Sequence, residues 1–129
     1  MAGVILIVED CPESASNLEI ALAALPGMEV AVTASGLEAW TYLDAAPLRD
    51  VVALVTDLEM PRMNGFELIE RVRADPRFLR LPIIVLSGAA DPAAPDLVRR
   101  LGASAYFPKP YSPGEVRNQL ERLLNEKSC

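Results

Sequence analysis

The chain has 129 residues, 51% of them hydrophobic, with 18 acids against 12 bases and a net charge of −6. That length suits one ordinary domain with a single sizeable core, and that composition excludes a disordered chain. The acidic balance disfavours binding to a phosphate backbone. No apolar run approaches the ~18 residues of a membrane span, and the start MAGVILIVED lacks the basic region and cleavage site of a secretory signal.

In chain order, the apolar run 4–8 predicts a first strand. Cys11-Pro12-Glu13 then puts proline at a first helical position with an acid behind it. Leu18, Leu22 and Leu25 recur at helical spacing until Pro26-Gly27 closes the segment. Run 30–32 is a second strand, followed by a helix carrying Leu37, Trp40 and Leu43, with Trp40 expected in the core. Run 51–55 is a third strand that leads through Thr56 to Asp57 and the loop MPRMNG, where Met60 and Met63 are expected to pack rather than ligate. Phe66, Ile69 and Val72 mark the third helix.

Run 83–86 is a fourth strand ending before Ser87. Gly102 closes the fourth helix; Asp91 and Pro92 offer it a start, but Pro95 disfavours a helical Ala94 and shifts the expected regular part to Asp96. Arg99 and Arg100 read as a solvated helix end that complements the dipole. Run 105–107 is a fifth strand. Ser112-Pro113-Gly114-Glu115 resembles a capping box that opens a last helix on Val116, Leu120, Leu123 and Leu124.

Most of these runs are rich in Val and Ile without in/out alternation, as strands covered on both faces are. Strand and helix alternate five times. The expected fold is therefore α/β: a doubly wound (βα)5 unit with a parallel sheet, right-handed crossovers and helices on both faces. It is expected to occupy residues 1–129 as one domain, with no output domain. The chain has no histidine, and its two cysteines are Cys11 and Cys129. A Ser/His/Asp triad, a zinc site and a disulfide framework are thereby disfavoured, and a reducing cytoplasm is the expected compartment.

Ligands of such sheets sit beyond the carboxyl ends of the strands. There the sequence places Glu9 and Asp10 after strand one, Asp57 after strand three, Ser87 after strand four and Lys109 after strand five. Three crowded carboxylates call for protons or a cation, and an all-oxygen donor set selects Mg²⁺ or Mn²⁺ over zinc. Asp10 and Asp57 are candidate direct ligands, Glu9 a candidate through water, and the Glu59 backbone carbonyl a further oxygen. A carboxylate beside a metal with an amine opposite suits phosphoryl transfer. Asp57 would be the nucleophile, with Lys109 and the Ser87 hydroxyl each taking a phosphoryl oxygen.

The stretches VEDCPES, DLEMPRMNG, LSG and YFPKP, in this order and spacing, resemble the receiver domain of two-component response regulators over nearly the whole chain. The resemblance implies the flavodoxin-like strand order 2-1-3-4-5. It implies Asp57 as phosphoacceptor, a histidine kinase or phosphotransfer protein as donor, and Mg²⁺ on Glu9, Asp10, Asp57 and the Glu59 carbonyl. Ser87 and Tyr106 would be the switch pair, and Lys109-Pro110 a cis bond. Partners or a second copy would meet the face made by the fourth helix, fifth strand and fifth helix. Asn64 stands where the family often has Asp, and Gly88 where it often has Ala.

Two other classes compete. A degenerate receiver could serve only as a phosphorylation-independent docking module. A metal-dependent nuclease echoes Glu9 and Asp57-x-Glu59 but leaves Lys109-Pro110 without a role, and its substrate would be repelled by the net charge. Cys11 beside the acids is expected to have a raised thiol pKa and blunted reactivity.

Overall fold

The computed structural model describes residues 3–45, 51–60, 63–88 and 92–128. Five strands alternate with five helices: β1 Gly3–Val8, α1 Pro12–Ala23, β2 Met28–Thr33, α2 Gly36–Asp44, β3 Val51–Asp57, α3 Gly65–Arg73, β4 Ile83–Ser87, α4 Ala94–Leu101, β5 Ala105–Pro108 and α5 Pro113–Ser128. All pairings are parallel, in the order β2-β1-β3-β4-β5. This is the expected doubly wound fold.

Alternation along the central strands makes two cores. Leu6 and Val8 of β1 face α2, α3 and α4, where they meet Leu54, Ile69, Val85 and Val98. Ile5 and Ile7 point the other way and meet Leu18 and Leu22 of α1 and Val116 and Leu120 of α5. Buried on both faces, β1, β3 and β4 have no polar side to show, which is why their sequence lacks alternation. The edge strand β2 is nowhere fully buried and exposes Glu29 and Val32.

Proline at the first position of α1 is observed, but α1 ends at Ala23, with Ala24 as its cap. Pro26-Gly27 instead forms the turn into β2, with Gly27 at φ 77°. Leu25 lies beyond the helix and is still buried. In α2 the inward stripe is Gly36, Ala39 and Leu43, while Leu37 is exposed. Trp40 sits half-buried at the core's rim, edge-on to Phe78 and under the Arg71 guanidinium.

The fourth helix begins at Ala94, earlier than the expected Asp96, with Ala93 at its cap and Pro95 in its first turn. There proline removes only an N–H that has no intrahelical partner, so its bias on Ala94 is overridden. Asp91, the other proposed cap, lies outside the described residues. Gly102 closes α4 in the left-handed conformation at φ 112°. Its carbonyl accepts two hydrogen bonds from Arg73 of α3, at 3.0 and 2.8 Å, and Arg73 also reaches the Phe78 carbonyl at 2.7 Å. At α5 the Ser112 carbonyl accepts from the Glu115 and Val116 amides.

Candidate functional site

The sheet register decides which side chains meet. Val8 pairs with Thr56, Asp57 with Leu86, and Ser87 with Pro108. The ladder extends past the strands: the Glu9 amide donates to Thr33, the Leu58 amide to Leu86, and the Lys109 amide to the Ser87 carbonyl at 2.7 Å. Glu9, Asp57, Ser87 and Lys109 therefore leave the sheet at one level of one edge. The Lys109-Pro110 bond is cis, as the resemblance implies.

The lysine points inward. Its Nζ donates to Asp57 Oδ2 at 2.7 Å and to Glu9 Oε1 at 3.3 Å. Both acids are buried, while the Lys109 side chain keeps 29% of its surface exposed. Glu9 Oε2 accepts the Cys11 amide at 3.2 Å. Glu9, Asp10 and Asp57 each offer an oxygen within 4.8 Å of the others, with Asp10 on the solvent side.

The charges strain against burial. Burial pushes the Glu9 carboxyl above its usual range; the Cys11 amide opposes this, and the charge of Asp57 adds to it. For the Lys109 ammonium burial acts downward, but the Asp57 hydrogen bond and the charges of Asp57 and Glu9 hold it above its ordinary value. Asp57 Oδ1 is buried without a hydrogen-bond partner among the described residues. A buried carboxylate oxygen left bare beside two further hard donors is what a divalent cation would satisfy. The donor set thus fits Mg²⁺.

Close packing fixes where Asp57 sits. The Gly65 amide donates to the Leu58 carbonyl at 3.0 Å. A Cβ on Gly65 would lie 2.5 Å from the Asp57 carbonyl oxygen and 2.7 Å from Leu58 Cα. Only glycine lets the start of α3 approach the strand end this closely. Asn64 caps that helix, its side chain accepting the Glu67 amide at 3.0 Å, so its departure from the family's Asp keeps the capping oxygen. Met60 and Met63 pack on the core, as expected.

Ser87 is buried at the end of β4, where its hydroxyl donates to Glu59 Oε2 at 3.0 Å. Glu59 Oε1 accepts the Gly88 amide, also at 3.0 Å. Sequence reasoning missed this side-chain bridge; the signal was a long acid two residues beyond Asp57. Tyr106 is half-buried against the α4-side core. It borders a cavity of about 220 Å³ shared with Pro95, Val98 and Arg99. Arg99 and Arg100 are exposed in the last turn of α4, and Arg99 pairs with Asp96.

Tyr111, two residues past Lys109, was also missed. Burial first, then the charge of Glu9, raises its phenol to about 12. It lines a second cavity, of about 480 Å³, with Ser14, Gly88 and Lys109. Cys11 contradicts expectation: the Ser14 amide and hydroxyl hold its exposed thiol below the ordinary value, outweighing the charge of Glu9. A thiol at a helix start meets amide dipoles that the sequence argument had left out.

No helix among the described residues is long and apolar enough to cross a membrane. Residues 5–121 match the model of the response regulator receiver domain. Chemotaxis protein CheY1 of Helicobacter pylori is 34% identical over 120 residues, covering 93% of this chain and 95% of that protein. The solved structure of the chemotaxis response regulator CheY4 of Vibrio cholerae has a TM-score of 0.83 at 26% identity, over 95% of this chain and 99% of that one. The receiver domain of a sensor histidine kinase from Pseudomonas aeruginosa, with a magnesium ion coordinated in its active site cleft, has a TM-score of 0.80 at 27% identity, over 97% and 99% of the two chains. A family match that runs from β1 into α5, on a sheet of this order with its acids and lysine at one edge, means that this chain belongs to the response regulator receiver domain family of two-component signalling.

Proposed function

We propose that the protein is a phosphorylation-dependent switch in a two-component or phosphorelay pathway, with Asp57 as the phosphoacceptor. The observation that carries this reading is the inward Lys109, 2.7 Å from Asp57 Oδ2, beside a bare, buried Oδ1. Receivers are signalling modules that partner with histidine kinases and are not conventional enzymes. The donor here would be such a kinase or a histidine phosphotransfer protein. A carboxylate oxygen of Asp57 attacks phosphorus, the P–N bond of the donor breaks, and its electron pair leaves with the imidazole nitrogen. The product is an acyl phosphate on Asp57.

Glu9, Asp10, Asp57 and the Glu59 carbonyl would hold Mg²⁺, with Mn²⁺ as a substitute. When bound, the cation neutralises charge on the transferring group and on the acids. Lys109 then exchanges its contact with Asp57 for a phosphoryl oxygen, and the Ser87 hydroxyl turns to donate to another. The space beside Tyr106 gives its ring room to follow, which supports the pairing of Ser87 with Tyr106 as the switch. Phosphorylation adds charge and acceptor oxygens and so biases two arrangements of this edge. The output would be a protein partner or a second copy on the α4-β5-α5 face, in the cytoplasm, with residues 1–129 acting as a single receiver domain.

Incubation with acetyl phosphate and Mg²⁺ should add one phosphoryl group by intact mass, and the Asp57→Asn protein should gain none. Equal labelling of both would reject Asp57 as the acceptor. A wild-type protein that stays unlabelled, yet binds its partner equally well with or without a phosphoryl mimic, would favour the docking module instead.

A further inference from the structure

We propose that the Glu59 side chain is a latch that holds Ser87 and Gly88, at the end of β4, in their resting arrangement and sets how readily the switch turns on. The inference rests on the phosphoacceptor reading and extends it. Glu59 lies two residues beyond Asp57, and both its carboxylate oxygens are engaged across the site. Oε2 takes the Ser87 hydroxyl and Oε1 the Gly88 amide, each at 3.0 Å. One anion thus clasps the last residue of β4 and the first beyond it.

The competition is one of stoichiometry. A serine hydroxyl has one proton to donate. Given to Glu59, it is not available to a phosphoryl group on Asp57. Turning Ser87 therefore requires breaking a charge-assisted hydrogen bond already made, and moving Gly88 with it breaks a second. The active arrangement is disfavoured by the difference, and apparent affinity for a phosphoryl group falls with the fraction of molecules ready to receive it. Glu59 does not restrain Lys109, whose partners are Asp57 and Glu9. Glu59 in this role is a positioning residue acting through Ser87 and Gly88. Its backbone carbonyl, the proposed metal ligand, is left in place by side-chain substitution.

The test uses beryllofluoride as the phosphoryl analogue at saturating Mg²⁺, with binding followed by NMR. Glu59→Ala should bind it about 3- to 10-fold more tightly than wild type, the range expected when a part-buried charge-assisted contact no longer holds the resting side. Glu59→Gln, which keeps one acceptor and loses the charge, should fall between. In a Ser87→Ala background the gain from Glu59→Ala should shrink, a coupling that a generally loosened fold would not produce. Independently of any analogue, the Gly88 amide should exchange with solvent faster in Glu59→Ala than in wild type. Equal or weaker beryllofluoride binding by Glu59→Ala, or Gly88 exchange that ignores Glu59, overturns the latch. Failure of wild type itself to bind beryllofluoride would refute the acceptor role of Asp57, and Gly88 exchange would then decide the clasp alone.

Discussion

Lys109 is the one cation in contact with the two buried acids among the described residues, so its removal is the sharpest test of the site's electrostatics. Glu9 and Asp57 have oxygens within 4.8 Å of each other. At an effective dielectric of ~20, two unit charges at that outer limit repel by about 3.5 kcal/mol, and by more when closer. Lys109, at 2.7 and 3.3 Å from the two, offsets this repulsion. With 29% of the lysine side chain exposed, water entering the vacated space would screen part of the repulsion. That leaves an expected loss of about 2 kcal/mol for Lys109→Met. Urea unfolding at neutral pH in EDTA measures it. Lys109→Met should be destabilised by that amount, and Glu9→Gln/Lys109→Met should regain at least half, because one buried negative charge is then gone. Mg²⁺ should stabilise Lys109→Met more than wild type, since the cation replaces the lost counter-charge. Equal stability of wild type and Lys109→Met in EDTA, with no gain from Glu9→Gln, would refute the reasoning.

Glu9, whose folded-state pKa is raised by burial, supplies a pH dependence. Relative to the unfolded chain its neutral form is favoured, so this contribution is fully present below the ordinary carboxyl value and is lost as pH rises through the raised one. Carboxyl-resolved NMR titration in EDTA should place its midpoint above the ordinary glutamate value, and Mg²⁺ should bring it down. Gly65→Ala should cost about 1–3 kcal/mol, as a Cβ 2.5 Å from the Asp57 carbonyl forces the backbone apart; thermal unfolding reads this. Gly88→Ala should change stability by less than about 0.5 kcal/mol, because its nearest contact would be Lys109 Cδ at an ordinary 3.6 Å. Arg73→Ala removes three hydrogen bonds that tie α3 to the end of α4 and to Phe78. It should cost about 2 kcal/mol and speed amide exchange in α4 above that in α1.

How much of this was legible in the sequence depended on which interaction sets each feature. The central strands were readable because burial on both faces leaves continuous apolar runs. Once those runs were parallel strands, Glu9, Asp57, Ser87 and Lys109 had to emerge on the same edge, so the meeting of Lys109 with Asp57 followed from topology. Helix boundaries were less secure where proline intervened. Pro95 is disruptive inside a helix but harmless in its first turn, and local sequence does not say which applies. Pro26-Gly27 marks a turn, but the helix had already ended at Ala23. The Glu59 bridge and the lowered Cys11 thiol left only a weak trace in the sequence, because each depends on where one side chain on a loop or helix start points.

In this resting arrangement the groups proposed to meet a phosphoryl group are already engaged: Lys109 with Asp57 and Glu9, Ser87 with Glu59. Activation on that reading is an exchange of partners rather than a gain of new ones. The energy that separates the two arrangements is then a small difference between bonds broken and bonds made, even though each bond is charge-assisted. A small difference leaves the balance open to tuning by residues that never touch phosphorus. Glu59 tunes it by weighting the resting side through Ser87 and Gly88, and Glu9 does so by sharing Lys109 with Asp57. The chemistry can therefore stay fixed at Asp57 and Lys109 while the threshold is set by the length and charge of the side chain two residues further on.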